Sequence, residues 1–159
     1  MSEVTIRPAC LADVEVLFNL IQALVESQKA SHTVTGNIED LKEHLFGPRI
    51  YAEAILAQRD DKAVGFALFF YNYSTFMIKP VMYLGDLFVL PEYRRQGIAK
   101  ALIRYLAKLA ISRDCGRLEL SVLDWNSSAI AFYKSLGASI LDEWRICHIT
   151  GTSLTNLGN

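Results

Sequence analysis

The apolar positions of the first third of the chain follow a strand period and then helix periods. Residues 4–7 alternate and stop at Pro8, which predicts a short edge strand because proline removes a donor from the hydrogen-bond ladder. Apolar residues then recur at helical spacing over 11–25, and Asp13 lies near the start, where the helix dipole favours negative charge. The small and polar stretch 27–37 predicts a mobile loop, and a second short helix is predicted over 38–46.

The middle of the chain is dominated by strand-like apolar runs. Residues 51–57 and 64–71 flank a polar turn and therefore predict a hairpin. The run 81–90 is apolar on both faces and is interrupted only by Gly85 and Asp86, which predicts a central strand covered by helices on either side. A glycine inside such a strand often marks a bulge or a closely approaching ligand.

The remaining predicted helices and strands complete an α/β fold of the α+β type. Apolar residues over 98–109 predict a helix that ends near Gly116. The elements predicted after it are a strand over 118–122, a helix over 127–136 and a strand over 144–149. The polar tail over 151–159 is expected to be frayed. We therefore expect a single domain over 1–150, built on a central mixed β-sheet with helices on both faces.

Composition narrows the class of protein. The chain has 159 residues, 52% of them hydrophobic, and a formal net charge of −1, which favours one globular domain and argues against a nucleic-acid partner. Its start lacks the features of a signal peptide and its apolar runs are too short to cross a bilayer, so we expect a soluble cytoplasmic protein with no membrane partner. The three cysteines and three histidines are scattered, which predicts neither a disulfide framework nor a metal site.

The segment PEYRRQGIAKAL, residues 91–102, predicts an anion site. A strand, a proline and then the opening of a helix would leave backbone N–H groups pointing outward with the positive end of the helix dipole behind them. Gly97 would let the backbone approach a phosphate, and Arg94 and Arg95 add positive charge. The spacing is neither that of a nucleoside-triphosphate loop nor that of a dinucleotide loop. The alternative is that Gly97 permits tight helix packing and that the arginines are solvated.

The same segment carries a family resemblance. R-x-x-G-x-A, at Arg94, Gly97 and Ala99, resembles the acyl-CoA motif of the GNAT N-acetyltransferase superfamily. Further stretches occur in the order seen in spermidine/spermine and thialysine N-acetyltransferases: IRPA, EDL, FG, YLGDLFV, WNSSAIAFYK, LGA and WR. The resemblance covers most of the chain. It implies a GNAT fold, acetyl-CoA as co-substrate, no metal, and a homodimer.

The resemblance also assigns roles to particular positions. The backbone amides of residues 95–100 would hold the pyrophosphate of CoA, the strand segment after Asp86 would pair with the pantetheine arm, and Asn126 would touch the same arm. The implied acetyl-CoA residues are Leu87, Phe88, Val89, Arg94, Arg95, Gln96, Gly97, Ile98, Ala99, Lys100 and Asn126. Lys100 also belongs to a helix stripe with Arg104 and Lys108, for which a solvated surface is the alternative.

Transfer to an amine requires proton-handling groups, because an alkylamine with a pKa of about 10.4 is protonated at neutral pH. Asp86 is a candidate base, the alternative being an ion pair with Arg7 or Arg145. Glu119 is a candidate for the acceptor site, the alternative being a solvent-facing strand position. Tyr133, in the stretch AFYK, resembles the family's general acid.

The chain departs from the polyamine acetyltransferases at the acceptor site. Those enzymes carry a glutamate where this chain has Gly85, and their acceptor loop is rich in acids, whereas this one reads ESQKASHT. The acidic residues that remain are Glu26, Asp86 and Glu119. We therefore expect an acetyl-CoA-dependent N-acetyltransferase that acts on a polyamine, a diamine or a lysine-like amino acid, with Glu26, Gly85 and Glu119 lining the amine site. The alternatives are acetylation of protein N-termini or lysines, and a weakly active acetyl-CoA sensor.

Overall fold

The computed structural model describes residues 2–28 and 33–159. The predicted loop over 27–37 therefore lies partly outside the described residues. The chain divides into two compact units, Met1–Ser121 and Val122–Asn159, which are described separately below.

The first unit contains a five-stranded sheet in the order β1-β2-β3-β4-β5. The strands are β1 Thr5–Pro8, β2 Glu53–Arg59, β3 Lys62–Ser74, β4 Lys79–Val89 and β5 Leu118–Leu120. The first four strands pair antiparallel, whereas β5 pairs parallel with β4. The structure thus confirms the mixed sheet, the edge position of the first strand and the internal position of the strand that contains Asp86.

The hairpin between β2 and β3 turns through two aspartates. Asp60 and Asp61 have φ values of 51° and 63°, and Arg59 faces Lys62 as the last pair of the two strands. Aspartate tolerates the left-handed region better than most residues because its short side chain can bond to the local backbone. The predicted hairpin is confirmed, with strands that extend closer to the turn than the apolar pattern indicated.

A β-bulge interrupts the pairing of β3 with β4. Leu68 pairs with Asp86 and Phe69 pairs with Leu84, so that Gly85 is the extra residue on β4. A Cβ built on Gly85 would lie 3.1 Å from Cε1 of Phe70, which leaves little room for a side chain. The structure therefore confirms the bulge that a glycine in this strand predicted.

Helices cover both faces of the sheet. They are α1 Val14–Ser27, α2 Ile38–Phe46 and α3 Ile98–Ser112. On one face, Leu102 and Leu106 of α3 pack with Ile55, Phe69 and other buried residues. On the opposite face, α1 and α2 pack on the sheet; the buried members of this second cluster are Leu17, Leu20, Leu45, Ala54, Leu56, Phe66 and Phe88. Neighbouring residues of β2, such as Ile55 and Leu56, belong to different clusters because successive strand side chains point to opposite faces.

The second unit contains two helices, α4 Ser127–Ser135 and α5 Gly151–Leu157. The first confirms the helix predicted over 127–136. The strand predicted over 144–149 is wrong, because these residues have no regular secondary structure. A strand needs a neighbouring strand to satisfy its backbone groups, and residues 122–159, all of which the structure describes, contain none. The tail expected to be frayed forms α5.

An ion pair fixes the start of the chain against the first helical segment. Arg7 donates to both oxygens of Asp13, from Nη1 at 2.7 Å and from Nη2 at 2.8 Å. The hydrogen bonds from Arg7 lower the pKa of Asp13 from its usual 3.8. A carboxylate that accepts charged hydrogen bonds in this way stabilises the fold as long as it is ionised.

We expect Asp13→Asn to lower the free energy of unfolding by about 1 to 3 kcal/mol at pH 7. Because folding lowers the pKa of Asp13, the carboxylate stabilises the fold above the unfolded pKa near 3.8, and this contribution is lost as the pH falls further. Urea unfolding at pH 7 and pH 3 measures the difference. Asp114→Asn, which breaks the exposed pair with Lys79, is the control and should change little. Equal effects of the two substitutions at pH 7 would contradict the assignment.

Candidate active site

The loop between β4 and α3 has an unusual backbone. Gly97, the residue before the helix, has φ +80° and ψ 9°, and Arg95 has φ 61°. Only glycine adopts the left-handed region without a steric cost. A Cβ built on Gly97 would meet no atom within 4 Å. The alternative in which Gly97 permits tight helix packing is therefore wrong, because the space above this residue is open.

The backbone amides of this loop and of the first helical turn have no acceptor among the described residues. The first hydrogen bond of the helix runs from the amide of Ala101 to the carbonyl of Gly97 at 3.0 Å. Among the residues that the structure describes, none accepts a hydrogen bond from the amides of residues 95–100. These N–H groups lie at the positive end of a 15-residue helix, where an anion is favoured.

The basic side chains of the loop have different environments. Arg94 donates from Nε to the carbonyl of Val89 at 3.0 Å, and its guanidinium lies 5.6 Å from the centre of the Phe88 ring. Arg94 therefore closes the turn after β4. Arg95 and Lys100 are exposed and form no salt bridge within the described residues. Lys100 shares an exposed face of α3 with Arg104 and Lys108, as expected for a solvated stripe.

One edge of β4 is open beside this loop. Pairing of β4 with β5 ends at Leu84 and Leu120, whereas pairing of β4 with β3 continues to Val89. In the described part of the chain, β4 thus has a strand on only one side from Gly85 onward. The side chains of Phe88 and Val89 belong to the core, with residue exposures of 4% and 8%, so on the open side of this segment only the backbone is left to pair with a ligand.

Four polar side chains lie on the α1 face of the sheet where β4 and β5 separate. Tyr83 alternates with the buried Met82 and Leu84 of the opposite face, and the bulge at Gly85 returns Asp86 to the side of Tyr83. The parallel register places Glu119 opposite Tyr83, and the next residue on that side, Ser121, bonds to the Tyr83 hydroxyl at 2.5 Å.

Aromatic and charged neighbours complete this face. The Phe70 ring packs on Tyr83 with 5.1 Å between the centroids. Glu119 is half-buried and accepts a hydrogen bond from Nε of Arg117 at 3.0 Å, so it is not freely solvated. The acidic residues Asp86 and Glu119 are therefore brought to one face of the sheet, next to the open edge of β4.

Asp86 is half-buried, and burial raises the pKa of its carboxyl above 3.8. The alternative in which Asp86 forms an ion pair with Arg7 is wrong, because Arg7 pairs with Asp13 at 2.7 Å. Within the described residues of the first unit, no cation forms a salt bridge with Asp86. A half-buried carboxylate without a counterion is costly to keep ionised, which makes it a candidate proton acceptor.

Three predicted residues lie away from this cluster along the chain. Glu26 is exposed in the last turn of α1. In the second unit, Asn126 caps α4, and its side-chain oxygen accepts from the amide of Ala129 at 3.2 Å. Tyr133 is half-buried on α4, its ring packs against Phe132, and burial raises the pKa of its phenol above 10.0. Tyr133 is therefore protonated at neutral pH.

Sequence reasoning missed three residues near the site. Tyr83 and Ser121 face each other only because β4 and β5 are parallel neighbours in a particular register, which no local pattern encodes. Arg59, at the end of β2, donates from Nη1 to Oε1 of Gln96 across the loop. The hairpin signal at 59–62 placed Arg59 next to a turn, but nothing in the sequence indicated that this turn lies beside the glycine loop.

The described residues contain neither a candidate membrane-spanning helix nor a candidate metal-binding cluster. No helix there has the length and apolarity needed to span a membrane. No group of three or more histidine, cysteine or acidic side chains is arranged to bind a metal ion in the same residues.

The chain is similar to known acetyltransferases in sequence and to a solved protein in fold. An L-ornithine N5-acetyltransferase of Arabidopsis thaliana is 40% identical over 78% of this chain and 51% of its own length, so the match spans about half of that relative. A thialysine N-epsilon-acetyltransferase of Mus musculus is 33% identical over 99% of this chain and 98% of its own. A solved integron cassette protein from the mobile metagenome of V. cholerae has a TM-score of 0.78 and 30% identity, with 99% of this chain and 98% of that one covered.

The sequence model of the Acetyltransferase (GNAT) family matches residues 21–138. This range contains the second half of α1, the sheet strands from β2 onward, the glycine loop and α4. The match covers well over half of the chain and agrees with the fold and with the relatives. The chain belongs to the GNAT family of acetyltransferases.

Proposed function

We propose that this protein transfers an acetyl group from acetyl-CoA to a primary amine of a small molecule, namely a diamine, a polyamine or a lysine-like amino acid. Acetyl transfer is the reaction of its family. The observation that carries the finer proposal is the juxtaposition, within one compact unit, of an anion-binding loop, an open strand edge and a face with two carboxylates.

The residues of the loop fit the phosphates of acetyl-CoA. The free amides of residues 95–100 would bind the diphosphate, and Gly97 leaves its space open because a Cβ there would protrude into it. The backbone of Leu87, Phe88 and Val89 would pair with the pantetheine arm along the open edge of β4. Asn126 remains a predicted contact of that arm. When bound, acetyl-CoA supplies the thioester whose acetyl group is transferred.

The carboxylates favour a cationic amine. Asp86 and Glu119 lie on one face, and Glu26 adds an exposed carboxylate in α1. The ring of Phe70 packs above Gly85, so a Cβ on residue 85 would contact this ring. In this chain, Phe70 therefore fills the space that a longer side chain at position 85 would need. Two carboxylates and an aromatic wall suit one short amine better than a long polycation. The names of the relatives, which act on ornithine and thialysine, support an amino acid that carries a side-chain amine.

The proton chemistry is assigned to two side chains. An acceptor amine with a pKa of about 10.4 must lose a proton before it can attack, at a cost of roughly 4 to 5 kcal/mol at pH 7. Asp86 accepts this proton on its carboxylate, directly or through water, and its raised pKa makes it a stronger base than an exposed aspartate. Tyr133 donates a hydrogen bond from its phenol to the departing sulfur and remains protonated because burial raises its pKa.

Asp86→Asn should lower turnover without lowering the unfolding temperature at pH 7. We expect turnover to fall by about 100-fold or more, because general-base catalysis contributes on this scale. Folding raises the pKa of Asp86 above 3.8, so its ionisation destabilises the fold as the pH rises through the raised value. The neutral asparagine should therefore unfold at the same temperature or higher at pH 7, and this advantage should vanish below pH 3.8. Unchanged turnover, or a lower unfolding temperature at pH 7, would contradict the role.

A thiol-release assay with acetyl-CoA and a panel of amines tests the function. The panel contains ornithine, lysine, thialysine, putrescine, spermidine and a peptide with a free N-terminus. We expect release with the amino acids and short diamines to exceed release with spermidine and with the peptide. Preference for the peptide would favour an N-terminal acetyltransferase, and tight binding of acetyl-CoA without any release would favour a sensor. The homodimer that the resemblance implies stays a prediction.

A further inference from the structure

Arg59 links the β2–β3 hairpin to the glycine loop. It is the last residue of β2, and its Nη1 donates to Oε1 of Gln96, 37 residues later in the chain. A second contact follows from the same hairpin, since the Lys62 ammonium lies 5.6 Å from the centre of the Tyr93 ring. Two cationic side chains on either side of one tight turn thus contact the loop that precedes α3.

The strand pairing of the hairpin fixes the backbone position of Arg59. It faces Lys62 as the closing pair of the hairpin, next to the two left-handed aspartates. Its Nε is buried and has no hydrogen-bond partner among the described residues. A buried and unpartnered N–H is costly. Core stability alone does not favour an arginine here, whereas the bond to Gln96 uses its guanidinium as the donor.

The backbone on both sides of Gln96 explains why the loop needs an anchor. Arg95 has φ 61° and Gly97 has φ 80°. A residue with a Cβ adopts the left-handed region only at a steric cost. Such a conformation persists only where surrounding contacts hold it. Gln96 lies between the two left-handed residues, and its side chain is the one that Arg59 holds.

We propose that Arg59 is a positioning residue that preorganises the diphosphate loop through Gln96. By fixing Gln96, Arg59 holds Arg95 and Gly97 in the left-handed conformations of a loop whose amides at residues 95–100 are free to bind the diphosphate. Binding then requires less ordering of the loop, which increases affinity. This inference rests on the proposed binding of acetyl-CoA and adds a residue that the glycine motif does not contain.

The test compares donors with and without a diphosphate. We expect Arg59→Ala to weaken acetyl-CoA binding in calorimetry by about tenfold, which corresponds to 1.4 kcal/mol. The KM for S-acetylpantetheine, which lacks the diphosphate, should stay the same, and so should kcat at saturating acetyl-CoA. A merely structural role would impair both donors equally and would overturn the proposal. Arg49→Ala, which removes an equally charged but exposed residue, is the control and should change neither constant.

Two double variants isolate the mechanism. In a Gln96→Ala background, Arg59→Ala should cause little further loss, because the bond is already absent. In an Arg95→Gly background the effect of Arg59→Ala should also shrink, because glycine adopts the left-handed conformation without an anchor. Full additivity in both backgrounds would overturn the proposal. If the unsubstituted protein fails to bind acetyl-CoA, the proposed function itself is wrong; if it binds and Arg59→Ala binds equally well, only the anchor is wrong.

Discussion

Replacing Gly97 with glutamate should weaken acetyl-CoA binding by at least about a hundredfold, a free-energy change of about 2.7 kcal/mol. Two physical effects add. A side chain at φ +80° costs about 1 to 2 kcal/mol in the left-handed region, and the loop will tend to relax away from the conformation that exposes its amides. The new carboxylate would also occupy the open space above residue 97 and repel the diphosphate, by about 1 to 4 kcal/mol at contact distance.

Gly137 offers a matched control for this substitution. It also has a left-handed φ, of 96°, and a Cβ built on it would likewise meet nothing within 4 Å. Gly137→Glu should therefore lower the unfolding temperature about as much as Gly97→Glu, while acetyl-CoA still binds. Calorimetric titration of both variants, together with their thermal unfolding, measures the two effects. Equal affinities for acetyl-CoA in the two variants would mean that the open space above Gly97 does not receive the diphosphate.

Replacing Tyr133 with phenylalanine should lower kcat by about 100-fold or more, the scale of general acid catalysis. Acetyl-CoA affinity should stay within about twofold, because the proposed hydrogen bond to sulfur strengthens only as the thiolate develops. The half-buried ring keeps its packing against Phe132, so that the unfolding temperature should change little. Steady-state kinetics and a binding titration on the same preparation measure the two quantities.

Tyr73→Phe is the control for this substitution, since Tyr73 is 61% exposed on β3 and has no proposed role. It should leave kcat and affinity unchanged. If Tyr133→Phe keeps full turnover, another group stabilises the departing sulfur and the assignment of Tyr133 is wrong. If kcat and affinity fall together, Tyr133 supports binding and not the chemical step.

Much of the first unit could be predicted from local patterns. The period of the apolar residues located α1, α2, α3 and the four longer strands to within a few residues, because each element buries one face or both. Gly85 predicted the bulge in β4, since an extra residue in a strand is accommodated most easily without a side chain. The glycine loop could also be predicted, because a strand, a proline and the start of a helix leave backbone amides without partners in the helix.

Other features depend on contacts between distant parts of the chain. The bond between Tyr83 and Ser121 arises from the parallel register of β4 and β5, and register is set by packing and not by either strand alone. Arg59 lies 37 residues before Gln96, and only the folded hairpin brings them together. The partner of Arg7, by contrast, is local: Asp13, six residues away, binds it, so the alternative in which Arg7 pairs with Asp86 is wrong.

The strand predicted over 144–149 shows the limit of periodicity. Trp144, Ile146 and Cys147 give the stretch an apolar, strand-like composition, yet residues 144–149 form no regular element. Composition describes how well a segment would fit a pleated surface, but a strand also requires backbone pairing with a neighbouring strand, and residues 144–149 form none. The helix at Gly151–Leu157 was missed because its sequence, rich in glycine, serine and threonine, has low helix propensity.

Amide hydrogen exchange with and without acetyl-CoA tests the central claim most directly. The amides of residues 95–100 donate no hydrogen bond to any residue that the structure describes, so they should exchange fast in the free protein. On addition of acetyl-CoA, these amides and those of Leu87 to Val89 should become protected, and with pantetheine alone only the β4 segment should respond. Protection by acetyl-CoA elsewhere in the chain, with residues 95–100 still exchanging fast, would contradict the account.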